Sequence, residues 1–69
     1  MNNPTVSQRP SKEALLKQAD GFRDLARRSR RLAVAIAGES DRRRLARHAE
    51  ELDESALRLE QEAAGAKTF

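Results

Sequence analysis

The side chains best equipped for chemistry are arginines, and they crowd the middle of the chain. Residues 23 to 48 hold nine of them, Arg23, Arg27, Arg28, Arg30, Arg31, Arg42, Arg43, Arg44 and Arg47, against Asp24, Glu39 and Asp41, a net of +6. From residue 49 onward six acids face Arg58 and Lys67, a net of −4. Guanidinium groups grip phosphates and carboxylates in a bidentate fork. Arg27, Arg28, Arg30, Arg31, Arg42, Arg43, Arg44 and Arg47 are therefore the candidate contacts for a nucleic-acid backbone or an acidic partner. Exposed aromatics, on which single-stranded bases stack, are not interleaved with them. Any nucleic-acid contact of this set is driven by phosphates and weakly specific. A membrane surface is a poorer target, because no Trp, Phe or Leu wedge accompanies the basic residues.

Other reactive groups lack company. His48 stands alone, next to Ala49, and fits a packing edge or a pairing with Glu51 better than a general base. Glu50 and Glu51 point to different azimuths of a helix and form a solvated face. Ser29 sits in "RRSR", a tempting kinase signal, yet it falls on an apolar repeat where a small residue eases close approach. The chain contains no Cys, no Gly-rich phosphate loop and no metal-ligand spacing. The expectation is a protein with no catalytic, cofactor or metal site and no small-molecule substrate.

The elements that carry these residues are helices. Residues 1 to 10, with two Pro and two Asn, read as a flexible arm. Ser11 follows Pro10 as an N-cap, and only Gly21 opposes helix up to Ala37. The spacing predicts a helix over 11 to 37, a turn over 38 to 40 and a helix over 41 to 64, with 65 to 69 as a frayed tail. Gly38 is placed for a left-handed C-terminal cap, and Ser40 or Asp41 for the second N-cap. At 1.5 Å per residue the arms are roughly 39 and 35 Å long, so they match as a hairpin. The fold class is all-α, an antiparallel hairpin of two long helices.

Apolar spacing gives the most specific signal. Leu15, Ala19, Phe22, Ala26, Ser29, Ala33 and Ile36 step by four and three, as do Leu45, Ala49, Leu52, Ala56, Leu59 and Ala63. Each helix alternates a larger with a small side chain, which is a coiled-coil seam with Ala at one of its two core positions. Small residues let the helix backbones approach closely. Leu25 and Leu32 add a second stripe that a lone hairpin leaves wet. A chain of 69 residues without disulfides or metal has few other means of completing a core than association. We expect a homodimer closing into a four-helix bundle, with Leu15, Phe22, Leu25, Leu32, Ile36, Leu45, Leu52 and Leu59 as the dimer or partner interface. A protein partner is the expected target, and nucleic acid is the alternative.

Charge gives that dimer a direction. In the second helix Arg42 to Arg44 sit near the positive end of the macrodipole and Glu60 and Glu62 near the negative end, against the usual preference. The arrangement calls for compensation from outside that helix, and an antiparallel second copy supplies it by laying each basic tip beside an acidic end. Local pairs, Glu13 with Lys17, Asp24 with Arg28 and Glu54 with Arg58, are expected to solubilise the helices.

The stretch "LARHAEELDESAL", Leu45 to Leu57, resembles the second helix of the Rop family of plasmid RNA-binding regulators, with Leu, His-Ala, two acids, Leu and then Ser in order. That resemblance implies a homodimer of helical hairpins. It carries over no RNA-binding residue, since the family uses an exposed Phe on its first helix and no such Phe is found here. Across residues 14 to 64, "FRDLARRSRRLA" and "RRLARHAEELDESALRLEQEA" also resemble small uncharacterised hairpin proteins of high-GC alphaproteobacteria, which implies an architecture and no activity. Mean hydropathy is −0.84, no run approaches the ~20 apolar residues of a membrane span, and "MNNPTVSQRPS" lacks the design of a secretory signal. The expected location is the cytoplasm.

Overall fold

A computed structural model describes residues 10 to 65, and they form two helices packed on each other as a hairpin. The first, α1, spans Lys12–Ala35, and the second, α2, spans Glu39–Gly65. Ser11 is the N-cap of α1: its backbone is extended and its hydroxyl accepts the Ala14 N–H at 3.0 Å, while its carbonyl takes the Leu15 N–H. One of the orphan donors at the helix start is satisfied in this way. Both helices run through residues with little to oppose them, Gly21 apart.

The turn differs from the sequence reading. It comprises residues 36 to 38, so α1 ends two residues earlier than expected and α2 starts two residues earlier. Gly38 is not a left-handed cap, as no glycine among the described residues has a positive φ. The helix stops instead because Ile36 turns extended, at φ −87° and ψ 143°, with its N–H still bonded to the Leu32 carbonyl. Ser40 and Asp41 lie inside the first turn of α2, and the Gly38 carbonyl accepts the Arg42 N–H as the first bond of that helix. Arg42 completes the turn. Its guanidinium donates to the carbonyls of Ile36 and Ala37 at 2.9 and 3.2 Å, which places a cation at the negative end of α1 and satisfies carbonyls the helix leaves over.

Alanine holds the two helices together. Ala19, Ala26, Ala49, Ala56 and Ala63 are fully or almost fully buried, and Leu15, at 3% exposure, is the one large residue among the buried set. Every other member of the two heptad rows, Phe22, Ser29, Ala33, Ile36, Leu45, Leu52 and Leu59, is half-buried. The small residues therefore mark the line of closest approach, and the larger ones flank it. A core of alanines gains only ~0.8 kcal/mol for each buried methyl-sized group. The expected arm and the end of the expected tail, residues 1 to 9 and 66 to 69, lie outside the described residues; Gly65 is helical.

Candidate interaction surface

Because α1 and α2 present their alanines to each other, each helix has two flanks, and the two flanks differ in chemistry. On one, Arg23 and Arg30 stand a heptad apart on α1 opposite Asp53 and Glu60, also a heptad apart, on α2. Arg23 donates through Nε and Nη2 to both oxygens of Glu60, at 3.1 and 2.6 Å, and through Nη1 to Asp53 at 3.1 Å. The other Asp53 oxygen pairs with Arg30 at 2.7 Å. These four residues form a continuous ionic ladder between the helices.

The ladder sets its own protonation. Its hydrogen bonds from Arg30, with the Coulombic pull of that charge and the contacts of Arg23, outweigh partial desolvation and hold the Asp53 carboxyl below its ordinary range. Arg23 does the same for Glu60, through hydrogen bonds first and charge second. The Arg23 guanidinium is in turn held even more firmly in its charged form, chiefly by Glu60.

The opposite flank is apolar. The helical phase that puts Arg23 and Arg30 beside the alanine row puts Leu25 and Leu32 on its far side, and these leucines remain 46% and 54% exposed. Phe22 and Ile36 of α1 and Leu45, Leu52 and Leu59 of α2, all half-buried, make the surface continuous across the hairpin. Of the eight residues assigned to an interface from sequence, only Leu15 is used up inside the hairpin. Leu16, Leu57 and Val34 are also exposed; their phases put them on the outer edge of the ionic flank, away from the leucine stripe, where single apolar residues are ordinary.

The arginines of the tip are mostly engaged. Arg27 and Arg28 share Asp24, Arg43 pairs with Glu39, Arg44 pairs with Asp41, and Arg30 belongs to the ladder. Arg42 serves the turn. Of the eight candidate contacts, Arg31 and Arg47 alone have no carboxylate or carbonyl partner among the described residues. The compensation for the reversed charge of α2 thus comes first from within the chain. Arg23 and Arg30 of α1 answer Asp53 and Glu60, while first-turn acids of α2 answer Arg43 and Arg44. The expected Asp24–Arg28 pair forms at 3.1 Å. Glu13–Lys17 and Glu54–Arg58 do not pair among the described residues, and Arg58 donates to the Ser55 hydroxyl instead.

Two depressions lie near the tip, one lined by Ser40, Arg43, Arg44 and Arg47 and the other by Arg44, Leu45, Arg47, His48 and Glu51. Each is walled by α2 alone, so each is a gap between side chains of one helix. His48 is exposed and borders the apolar flank. No group of three or more His, Cys, Asp and Glu suited to a metal ion occurs among the described residues, and no helix among them is long and apolar enough to cross a membrane. Sequence reasoning missed the ladder. Its signal was present in the opposite charges at equal heptad spacing, Arg23 and Arg30 against Asp53 and Glu60, each next to the seam. No protein-family model matches this chain, and no curated protein or solved structure resembles it significantly.

Proposed function

We propose that the chain is a small non-enzymatic helical interaction module that self-associates as an antiparallel dimer, closes four helices into a bundle, and binds or modulates a partner protein. The observation that carries this reading is the division of labour in the core. Five of the six buried residues are alanines, and most of the large apolar side chains are left half-buried or exposed on one flank. Covering a half-exposed Leu or Phe is worth about 1 kcal/mol. Leu25 and Leu32 are exposed to that extent and the five half-buried residues less so, so the seven on each of two protomers supply roughly 8 kcal/mol gross, against an association cost of about 4 to 15 kcal/mol. The face is large enough to form a dimer and too lean to tolerate a charge in its centre. The resemblance of Leu45 to Leu57 to the Rop family agrees with this assembly, and the highly charged composition fits a cytoplasmic setting.

The test is the solution mass of the wild type and of Leu52→Arg by light scattering. Twice the chain mass for the wild type and the chain mass for the variant, both helical by circular dichroism, is the expected result. A helical wild-type monomer at every concentration refutes self-association. The runner-up, backbone-driven nucleic-acid binding through the tip, draws its support from Arg31 and Arg47, which have no acidic partner among the described residues. Affinity for an oligonucleotide that falls steeply with salt is its signature, whereas an apolar dimer holds.

A further inference from the structure

A hairpin with one apolar flank can pair with its own copy about a two-fold axis in only two ways. With the axis across the helices, each tip lies beside the other copy's open end, and like helices stack antiparallel, α1 on α1 and α2 on α2. With the axis along the helices, the two tips lie together and α1 of one copy stacks on α2 of the other. Both bury the same leucines, so apolar burial does not choose between them.

Charge does. The tip half of the hairpin, residues 25 to 52, holds eight arginines against Glu39, Asp41, Glu50 and Glu51, a net of +4. The open half, residues 12 to 24 and 53 to 65, holds Lys12, Lys17, Arg23 and Arg58 against seven acids, a net of −3. Stacking tip on tip brings two such positive halves within ~10 Å, about one Debye length at 0.1 M salt. Stacking tip on open end brings opposite halves together. The rim of the apolar flank repeats the pattern locally. By helical phase Arg44 and Glu62 border that flank of α2, and they lie eight residues before and ten after Leu52, the middle residue of Glu39–Gly65. Antiparallel α2 helices centred on Leu52 place Arg44 of each copy opposite Glu62 of the other. Its in-chain bond to Asp41 is long, 3.4 Å, and exposed, so Arg44 is free to turn.

We infer that the second copy docks with its α2 antiparallel to this α2 about a two-fold axis at Leu52, and that the Arg44–Glu62 rim fixes this choice. The inference rests on the self-association proposed above. A chain without cysteine lets introduced thiols report the geometry. A disulfide needs Cα atoms about 4.4 to 6.8 Å apart, so only facing positions link. Under glutathione redox buffer, Leu52→Cys cross-links to a covalent dimer. Leu45→Cys and Leu59→Cys, each alone, remain mainly unlinked, and an equimolar mixture of the two links. Light scattering of each variant under reducing conditions shows first whether the dimer survives the substitution. A reduced dimer that links only in a mixture of Phe22→Cys with Leu52→Cys, residues at the same level of the hairpin, overturns the inference in favour of tip on tip and leaves self-association standing. A dimer in which Leu45→Cys and Leu59→Cys each link to themselves, which neither full-flank arrangement allows, overturns it as well. A wild type that is monomeric overturns both the inference and the reading beneath it.

Discussion

The two flanks of this hairpin are built from the same repeat and differ in completeness. On the ionic flank Arg23, Arg30, Asp53 and Glu60 satisfy one another within the chain, so that side needs no further partner. On the apolar flank Leu25 and Leu32 meet solvent and five more large residues are half-buried, so apolar area on that side is left uncovered within the hairpin. The proposed dimer would keep fold and association apart, each on its own side of one alanine seam. Cross-helix ion pairs line one face of the seam, and the apolar area of the other is, in the proposed reading, what a second copy covers.

That comparison can be broken most severely at Leu25. Leu25 and Leu57 are almost equally exposed, 46% and 47%, but only Leu25 lies on the apolar flank. Leu25→Arg is expected to weaken the dimer by about a hundredfold or more, since a buried unpaired charge costs several kcal/mol, and Leu57→Arg to leave it intact. Sedimentation of both variants checks this, and equal effects would mean that exposure alone, and not the flank, decides. Next in size is the seam between the flanks. Ala56 has no exposed surface, and Ala56→Leu pushes the helices apart at a cost of about 1 to 3 kcal/mol, measured by urea unfolding.

Gly21 lies four residues before Leu25, at the edge of the leucine stripe, and a Cβ added there meets nothing of its own chain within 4 Å. Gly21→Ala is expected to raise stability by about 0.5 to 1 kcal/mol through helix propensity; a loss would show that another molecule packs on this spot. The smallest effect is on the ionic flank. The carboxyls of Asp53 and Glu60 titrate below their unfolded values, so the stability they lend is complete above about pH 5 and is lost as the pH falls through the lower, folded values. Asp53→Ala is expected to lower the melting midpoint by only a few degrees at neutral pH, because the partners are partly solvated. It should also flatten that acid decline. A variant whose acid profile matches the wild type would remove the ladder from the account.

Much of this was legible in the residues. The four-three spacing of both rows located the seam, and Ser11 located the start of α1, because periodicity and side-chain capping are local signals. The turn was not, for its geometry is set by a distant guanidinium: Arg42 reaches back to the Ile36 and Ala37 carbonyls and makes a glycine cap unnecessary. The charge reversal of α2 is answered partly inside that helix, by Glu39 and Asp41, and partly by α1; the second part is not legible in the sequence, because a single-helix view of Asp53 and Glu60 does not show that Arg23 and Arg30 face them. The exposed stripe of Leu25 and Leu32 followed from phase alone, and the structure leaves both in solvent.

The central claim is that the apolar flank is covered by a second copy. Its most direct test is the mass of the wild-type chain in solution, by light scattering over a concentration series at low and at moderate salt. The account predicts twice the chain mass of 7.7 kDa at both salts, with dissociation only on dilution. A folded species of 7.7 kDa throughout the series would contradict it.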